Sequence, residues 1–144
     1  MQSHSIFTRL VRLVPMLILS ACAVGCAPDP AGRAEAQATS LADRLCPCWV
    51  ELTGSERDCR AVVTEAQDYV CLRDAVAQDP AVGDHLDVVA DDFDVYIACL
   101  DGLAPMCDGG LYEMCTSSLN EALRANPAPS EAVAEALRNC SNEP

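Results

Sequence analysis

The sequence predicts an all-α fold, a small bundle of four or five short helices stapled by up to four disulfides. Three observations carry that expectation. Apolar residues recur at helical spacing from about Ser40 onward. Caps and breakers punctuate those runs. No stretch alternates apolar and polar residues as a half-buried strand does, and the Asp-Gly pairs Asp101-Gly102 and Asp108-Gly109 lie between helical patterns.

A first helix is expected from near Ser40 through Trp49, ending before Gly54. Thr53-Gly54-Ser55-Glu56 has the Thr-x-x-Glu spacing of a capping box, so a second helix should begin there. It would place Cys59, Val62, Val63 and Ala66 on one face and continue, with a break near Asp68, through Cys71, Leu72 and Val76. Asp79-Pro80 supplies an N-cap and a proline at the first helical position, and the third helix should run to Leu100, with Gly102 closing it. Along it Val82, Leu86, Val89, Phe93, Tyr96, Ile97 and Leu100 form one buried stripe. A fourth helix is expected from Gly110 to Ala125, with Leu111, Cys115, Leu119 and Leu123 spaced by four. Asn126-Pro127-Ala128-Pro129 breaks it, and Ser130 can cap a fifth through Leu137 to Cys140. Ahead of all these, Ala27 to about Gln37 contains Pro28, Asp29, Pro30 and Gly32 without apolar periodicity and reads as a tether.

The core those helices share is thin. Trp49, Tyr69, Phe93, Tyr96 and Tyr112 are the aromatics beyond residue 26, and alanine supplies much of the 51% hydrophobic content. Disulfides would compensate. Cys46, Cys48, Cys59, Cys71, Cys99, Cys107, Cys115 and Cys140 lie in the folded part. Four bonds at about 2–4 kcal/mol each would rival a typical domain's stability of about 5–15 kcal/mol. Cys46 and Cys48 are too close in sequence to pair without a strained ring. Cys107 and Cys115, if one helix spans both, would have Cα atoms about 12 Å apart, beyond the roughly 7 Å a disulfide tolerates. The expected scheme joins Cys46 and Cys48 toward Cys59 and Cys71, and Cys99 toward Cys107, Cys115 or Cys140.

The N-terminus carries the most specific motif. Arg9 and Arg12 precede an uncharged run of 14 residues, Leu13 to Cys26, that ends in Leu19-Ser20-Ala21-Cys22. The run is shorter than the roughly 18 apolar residues that would span a bilayer. Charged start, apolar middle and small residues at the end describe a secretory signal. Leu19-Ser20-Ala21-Cys22 resembles the lipobox of bacterial lipoproteins. The resemblance implies cleavage before Cys22, acylation of that cysteine, and a membrane attachment through lipid at the cell envelope. Ala23-Val24-Gly25-Cys26 offers Cys26 as the alternative site, which would leave an even number of cysteines behind it. Alanine, not aspartate, follows either cysteine, which in such lipoproteins accords with sorting to an outer membrane, facing periplasm or surface. The expected division is a signal peptide over 1–21, a lipidated tether over 22–39 and a cysteine-rich helical domain over 40–144. With its tether, Cys-x-Cys and spaced cysteines, the layout is loosely similar to cysteine-rich lipoproteins of unknown function from myxobacteria-like bacteria. The eight-cysteine helical fold of plant lipid-transfer proteins is similar only in the idea of helices stapled by four disulfides. That family's adjacent Cys-Cys pair is missing, and the Cys-x-Cys comes first in this chain.

Charge narrows the partners. All 22 acidic residues lie beyond Cys26, against seven arginines and no lysine there, a net of −15 for that part. Such a surface repels nucleic acid and anionic lipid head groups, so lipid is the expected tether and an envelope protein the possible partner.

Four further features invite chemistry. Cys46-Pro47-Cys48 could be a metal-binding or thiol-redox pair, but it lacks the two-residue spacing and strand–helix context of thioredoxin-like motifs, and zinc sites use two such pairs. Structural disulfides are the expectation, with no metal and no cofactor. Asp84, Asp87, Asp91 and Asp94 share one helical face without the glycine and irregular backbone of a calcium loop, and read as solvated. His85, the one histidine beyond the signal, has no marked nucleophile beside it. Trp49 reads as a core anchor. No catalytic constellation emerges. The expected role is a non-enzymatic binding or assembly function of a lipid-anchored, acidic helical domain, with a metal or redox module on Cys46 and Cys48, or a small apolar-ligand carrier, as alternatives.

Overall fold

A computed structural model describes residues 29–103 and 106–142. The expected signal peptide, the candidate lipidation sites Cys22 and Cys26, and the first residues of the expected tether lie outside them. Among the described residues the chain forms seven α-helices and one 3-10 turn: α1 (Pro30–Leu45), the turn Cys46–Cys48, α2 (Trp49–Thr53), α3 (Cys59–Thr64), α4 (Tyr69–Gln78), α5 (Pro80–Leu100), α6 (Gly109–Ala125) and α7 (Glu131–Asn139). The one β-like feature among them is an isolated antiparallel bridge between Gln67 and Ser141. No helix among these residues is long and apolar enough to cross a membrane.

Helix α5 is the axis, packing against α1, α4, α6 and α7. It starts where the cap pattern puts it. Asp79 accepts from the Ala81 N–H at 2.9 Å, and Pro80 loses nothing by lacking a donor there. Asp108 caps α6 through Gly110 and Leu111, and Ser130 caps α7 through Val133. Gly102 does not end α5 in a left-handed conformation, since Gly54 is the positive-φ glycine. Gly102 instead lets Leu111 approach, and a Cβ there would lie 3.3 Å from Leu111 Cδ2.

Two expectations give way, and a third is met in full. The stretch read as a tether is helical from Pro30 and belongs to the domain. Ala31 and Ala42 are fully buried and Gln37 nearly so. Small side chains bring α1 close to its neighbours, and Asp29-Pro30 repeats the Asp-Pro start of α5. The capping box at Thr53 does not form. Thr53 ends α2, its hydroxyl donating to Trp49 O and accepting from Ser55 N–H, and Gly54 closes the helix at φ 66°. Helix α3 begins later, where Asp58 accepts from Ala61 N–H. The break near Asp68 is complete, and Asp68 caps α4 through Val70 and Cys71.

The eight cysteines among the described residues are all paired: Cys46–Cys59, Cys48–Cys107, Cys71–Cys140 and Cys99–Cys115. The first and last fall within the expected scheme. Cys48 reaches Cys107 and Cys71 reaches Cys140, which it did not foresee. Both close loops of 59 and 69 residues, so their pairing is set by tertiary packing and leaves no local trace. Cys107 sits before α6 at φ 47°, a left-handed conformation costly for a non-glycine residue, anchored by its bond to Cys48.

The core divides. Leu45, Tyr96, Leu100, Leu103 and Cys115 form one buried cluster, flanked by Phe93, Leu111, Tyr112 and Leu119. Ala31, Leu72 and Cys140 form a smaller one beside Tyr69 and Leu137. A C-terminal strap supports the second: Asp68 N–H donates to Cys140 O at 2.7 Å and Asn142 N–H to Ala66 O at 3.0 Å.

Candidate ligand-binding cavity

Between the two clusters lies a half-open cavity of about 480 Å³. That is within the roughly 300–1,000 Å³ of small-molecule sites. Helix α1 contributes Ala34, Gln37, Ala38 and Leu41, and α5 contributes His85, Leu86, Val89, Ala90 and Phe93. Val63 of α3, Tyr69 and Leu72 of α4, and Leu137 of α7 complete the walls, with Ala66 and Gln67 at the strap. Alanines at 34, 38 and 90 open the space, because a methyl side chain reaches too short a way to fill it.

This changes the reading of the α5 stripe. Val82, Tyr96, Ile97 and Leu100 are buried as expected, but Leu86, Val89 and Phe93 are only half-buried and face the cavity. His85 also lines it, and no serine, cysteine or carboxylate lines it with His85. The walls present mainly apolar surface, and no nucleophile stands beside His85 among the described lining residues.

The rim is ordered by charge. Arg33 on α1 reaches across to Asp91 at 2.7 Å, Asp94 at 2.5 Å and Asp87 at 3.9 Å. The acidic face of α5, read as merely solvated, therefore holds α1 in place. Hydrogen bonds from Arg33 and then from Gln37 keep the Asp94 carboxyl below the usual carboxylate range. Arg73 pairs with Glu35 and Asp29. Burial, then the nearby Glu35 charge, pushes the Tyr69 phenol up, so it stays neutral.

Gln37 is the least expected member. It is 9% exposed, and its Nε2 donates to Ala90 O at 2.7 Å and to Asp94 Oδ1 at 2.6 Å. It lay in the segment read as tether. The one signal that could have found it is the alanine period of α1, with Ala31, Ala34, Ala38 and Ala42 flanking Gln37 at helical spacing.

Cys46 and Cys48 bond to different partners, Cys59 and Cys107, and not to each other. No group of three potential ligands gathers among the described residues. Trp49 is half-buried, outside the two clusters, and its Nε1 is the one fully buried side-chain polar atom without a hydrogen-bond partner among those residues.

Fold and cavity together define a class: a small, disulfide-stapled, all-α domain with an apolar pocket. No protein-family model, curated protein or solved structure matches the chain.

Proposed function

We propose that this chain is a lipid-anchored protein of a bacterial envelope whose stapled acidic domain binds a small apolar ligand. The observation that carries the binding role is the half-open cavity of about 480 Å³ walled almost entirely by aliphatic and aromatic side chains. Burying a ligand there gains about 25 cal/mol per Å² of apolar surface on each side, without reorganising a closed core. The four disulfides support a preformed site, since they hold the surrounding helices with few large core residues. The lipid anchor rests on Leu19-Ser20-Ala21-Cys22, and non-enzymatic action on the lack of a reactive pair in the pocket.

Two measurements test the two halves. Solvent extraction of the purified full chain, followed by mass analysis, should release a hydrocarbon-rich small molecule in near-stoichiometric amount. An empty extract, with no uptake of added apolar compounds, refutes the binding role. Replacing Cys22 by serine should abolish acylation, and acylation persisting at Cys26 would move the anchor there.

A further inference from the structure

We propose that the cavity's ligand is a neutral hydrocarbon carrying one hydroxyl group, seated with that hydroxyl on the side-chain oxygen of Gln37. The inference rests on the binding role above and specifies its chemistry.

Both partners of Gln37 Nε2, a backbone carbonyl and a carboxylate oxygen, are acceptors. The amide orientation is therefore decided by chemistry, and Oε1 is the end left over. No described residue donates to it. Nor is Oε1 sealed away: Trp49 Nε1 is the sealed, unpartnered side-chain atom of the described residues. Gln37 is nine-tenths buried and lines the cavity, and Oε1, the unspent end of its amide, is the atom we assign to that wall. An acceptor in an apolar pocket selects a ligand that brings a donor.

The charges select against an ionised head. Arg33 is spent on Asp87, Asp91 and Asp94, and Arg73 on Glu35 and Asp29. No arginine lines the pocket, and the chain's net charge is −13. A carboxylate or phosphate head would enter without a counter-ion, against that field. An ammonium head would find the field favourable but no carboxylate in the pocket wall, and would lose its hydration. A hydroxyl satisfies Gln37 Oε1 at no such cost.

The test is a calorimetric titration of the full chain with decanol, decanoate, decylammonium and decane at about pH 8, where the carboxylate is ionised and the amine protonated. Decanol should bind at least about tenfold more tightly than either ion and several-fold more tightly than decane. Gln37→Met, which keeps the side-chain length and removes the acceptor, should erase the advantage over decane. Because that variant also loses two hydrogen bonds to α5, the wild-type series stands as the primary result if the variant does not fold. Decanoate or decylammonium matching decanol overturns the head-group assignment while leaving the apolar site intact. Retained preference for decanol in folded Gln37→Met overturns the role of Gln37. If none of the four binds, the binding role fails and this inference with it.

Discussion

Leu100 at the C-terminal end of α5 is fully buried, while Leu86, Val89 and Phe93 nearer its start stay half-exposed around a cavity. The same apolar stripe thus builds two different regions. At the C-terminal end Tyr96, Leu100 and Leu103 are clamped against α6, Tyr96 OH lies 3.3 Å from Thr116 Oγ1, and Cys99–Cys115 staples the helices. At the other end the facing residues on α1 are Ala34, Gln37 and Ala38, and Cys71–Cys140 staples α4 to the C-terminal strap. The difference lies in what faces the stripe. Large side chains close the core, and alanines leave room for something else.

The largest effect should come from the staples. Reducing the Cys71–Cys140 loop, with its separation of 69, removes about 4 kcal/mol by loop entropy, and the Cys99–Cys115 loop of 16 about 3 kcal/mol. The double substitutions Cys71→Ser/Cys140→Ser and Cys99→Ser/Cys115→Ser should lower Tm in that order. They should also differ in kind: only the first should weaken uptake of apolar ligand in protein that is still folded, because it frees the strap and α7. Equal loss of binding in both would mean the two regions are one cooperative unit.

Next in size are core truncations. Leu100→Ala should cost about 3 kcal/mol, within the usual range for a fully buried leucine, whereas Leu86→Ala on the cavity wall should cost about 1 kcal/mol. Denaturant melts read both. A Leu86→Ala penalty as large as that of Leu100→Ala would show that the cavity closes in solution. Additions should show the opposite asymmetry. Ala42→Leu, at a fully buried position outside the cavity, should destabilise by about 1–3 kcal/mol through overpacking. Ala38→Leu, into the cavity, should leave Tm unchanged or raised while ligand uptake falls. A fall in Tm for both would mean that the space beside Ala38 is already filled.

The same contrast explains what the sequence could and could not convey. Helices α5, α6 and α7 are legible because Asp79-Pro80, Ser130 and the spacing of Leu111, Cys115, Leu119 and Leu123 are local signals, and local physics decides them. The cavity is not, because its α1 wall is made of alanines, which mark neither a core nor a cap. Asp29-Pro30 carries the same cap-and-proline pattern as Asp79-Pro80, yet without large apolar residues after it the pattern does not announce a helix. Thr53 fails in the other direction. Its capping-box spacing is real, but Gly54 in a left-handed conformation and the Cys46–Cys59 bond end one helix there before another can start. Long-range pairs such as Cys48–Cys107 depend on both regions being folded and have no local signature.

The smallest effect concerns the polar rim that holds the cavity wall. Arg33 is about one-third exposed and its aspartates more so, which screens the pairs to under about 1 kcal/mol in total effect. Its sign is fixed by Asp94, whose carboxyl is held low by Arg33 and then Gln37. A carboxyl depressed in the folded state adds stability that is complete above its unfolded value near 3.9, and that is lost as pH falls through the lower folded value. Acid titration of the wild type should therefore show a shallow loss below about pH 4 that Arg33→Ala reduces and that added salt also reduces. In the C-terminal region a single pair, Arg44 with Asp101 at 2.5 Å, stands in place of this cluster, so a probe there, such as the Tyr112 environment, should report less local change before the global transition. A probe at Tyr69 should report a small local change first. If both probes move together and Arg33→Ala leaves the acid limb unchanged, the Arg33 pairs are ornamental and α1 is held to α5 by its packing and by Gln37.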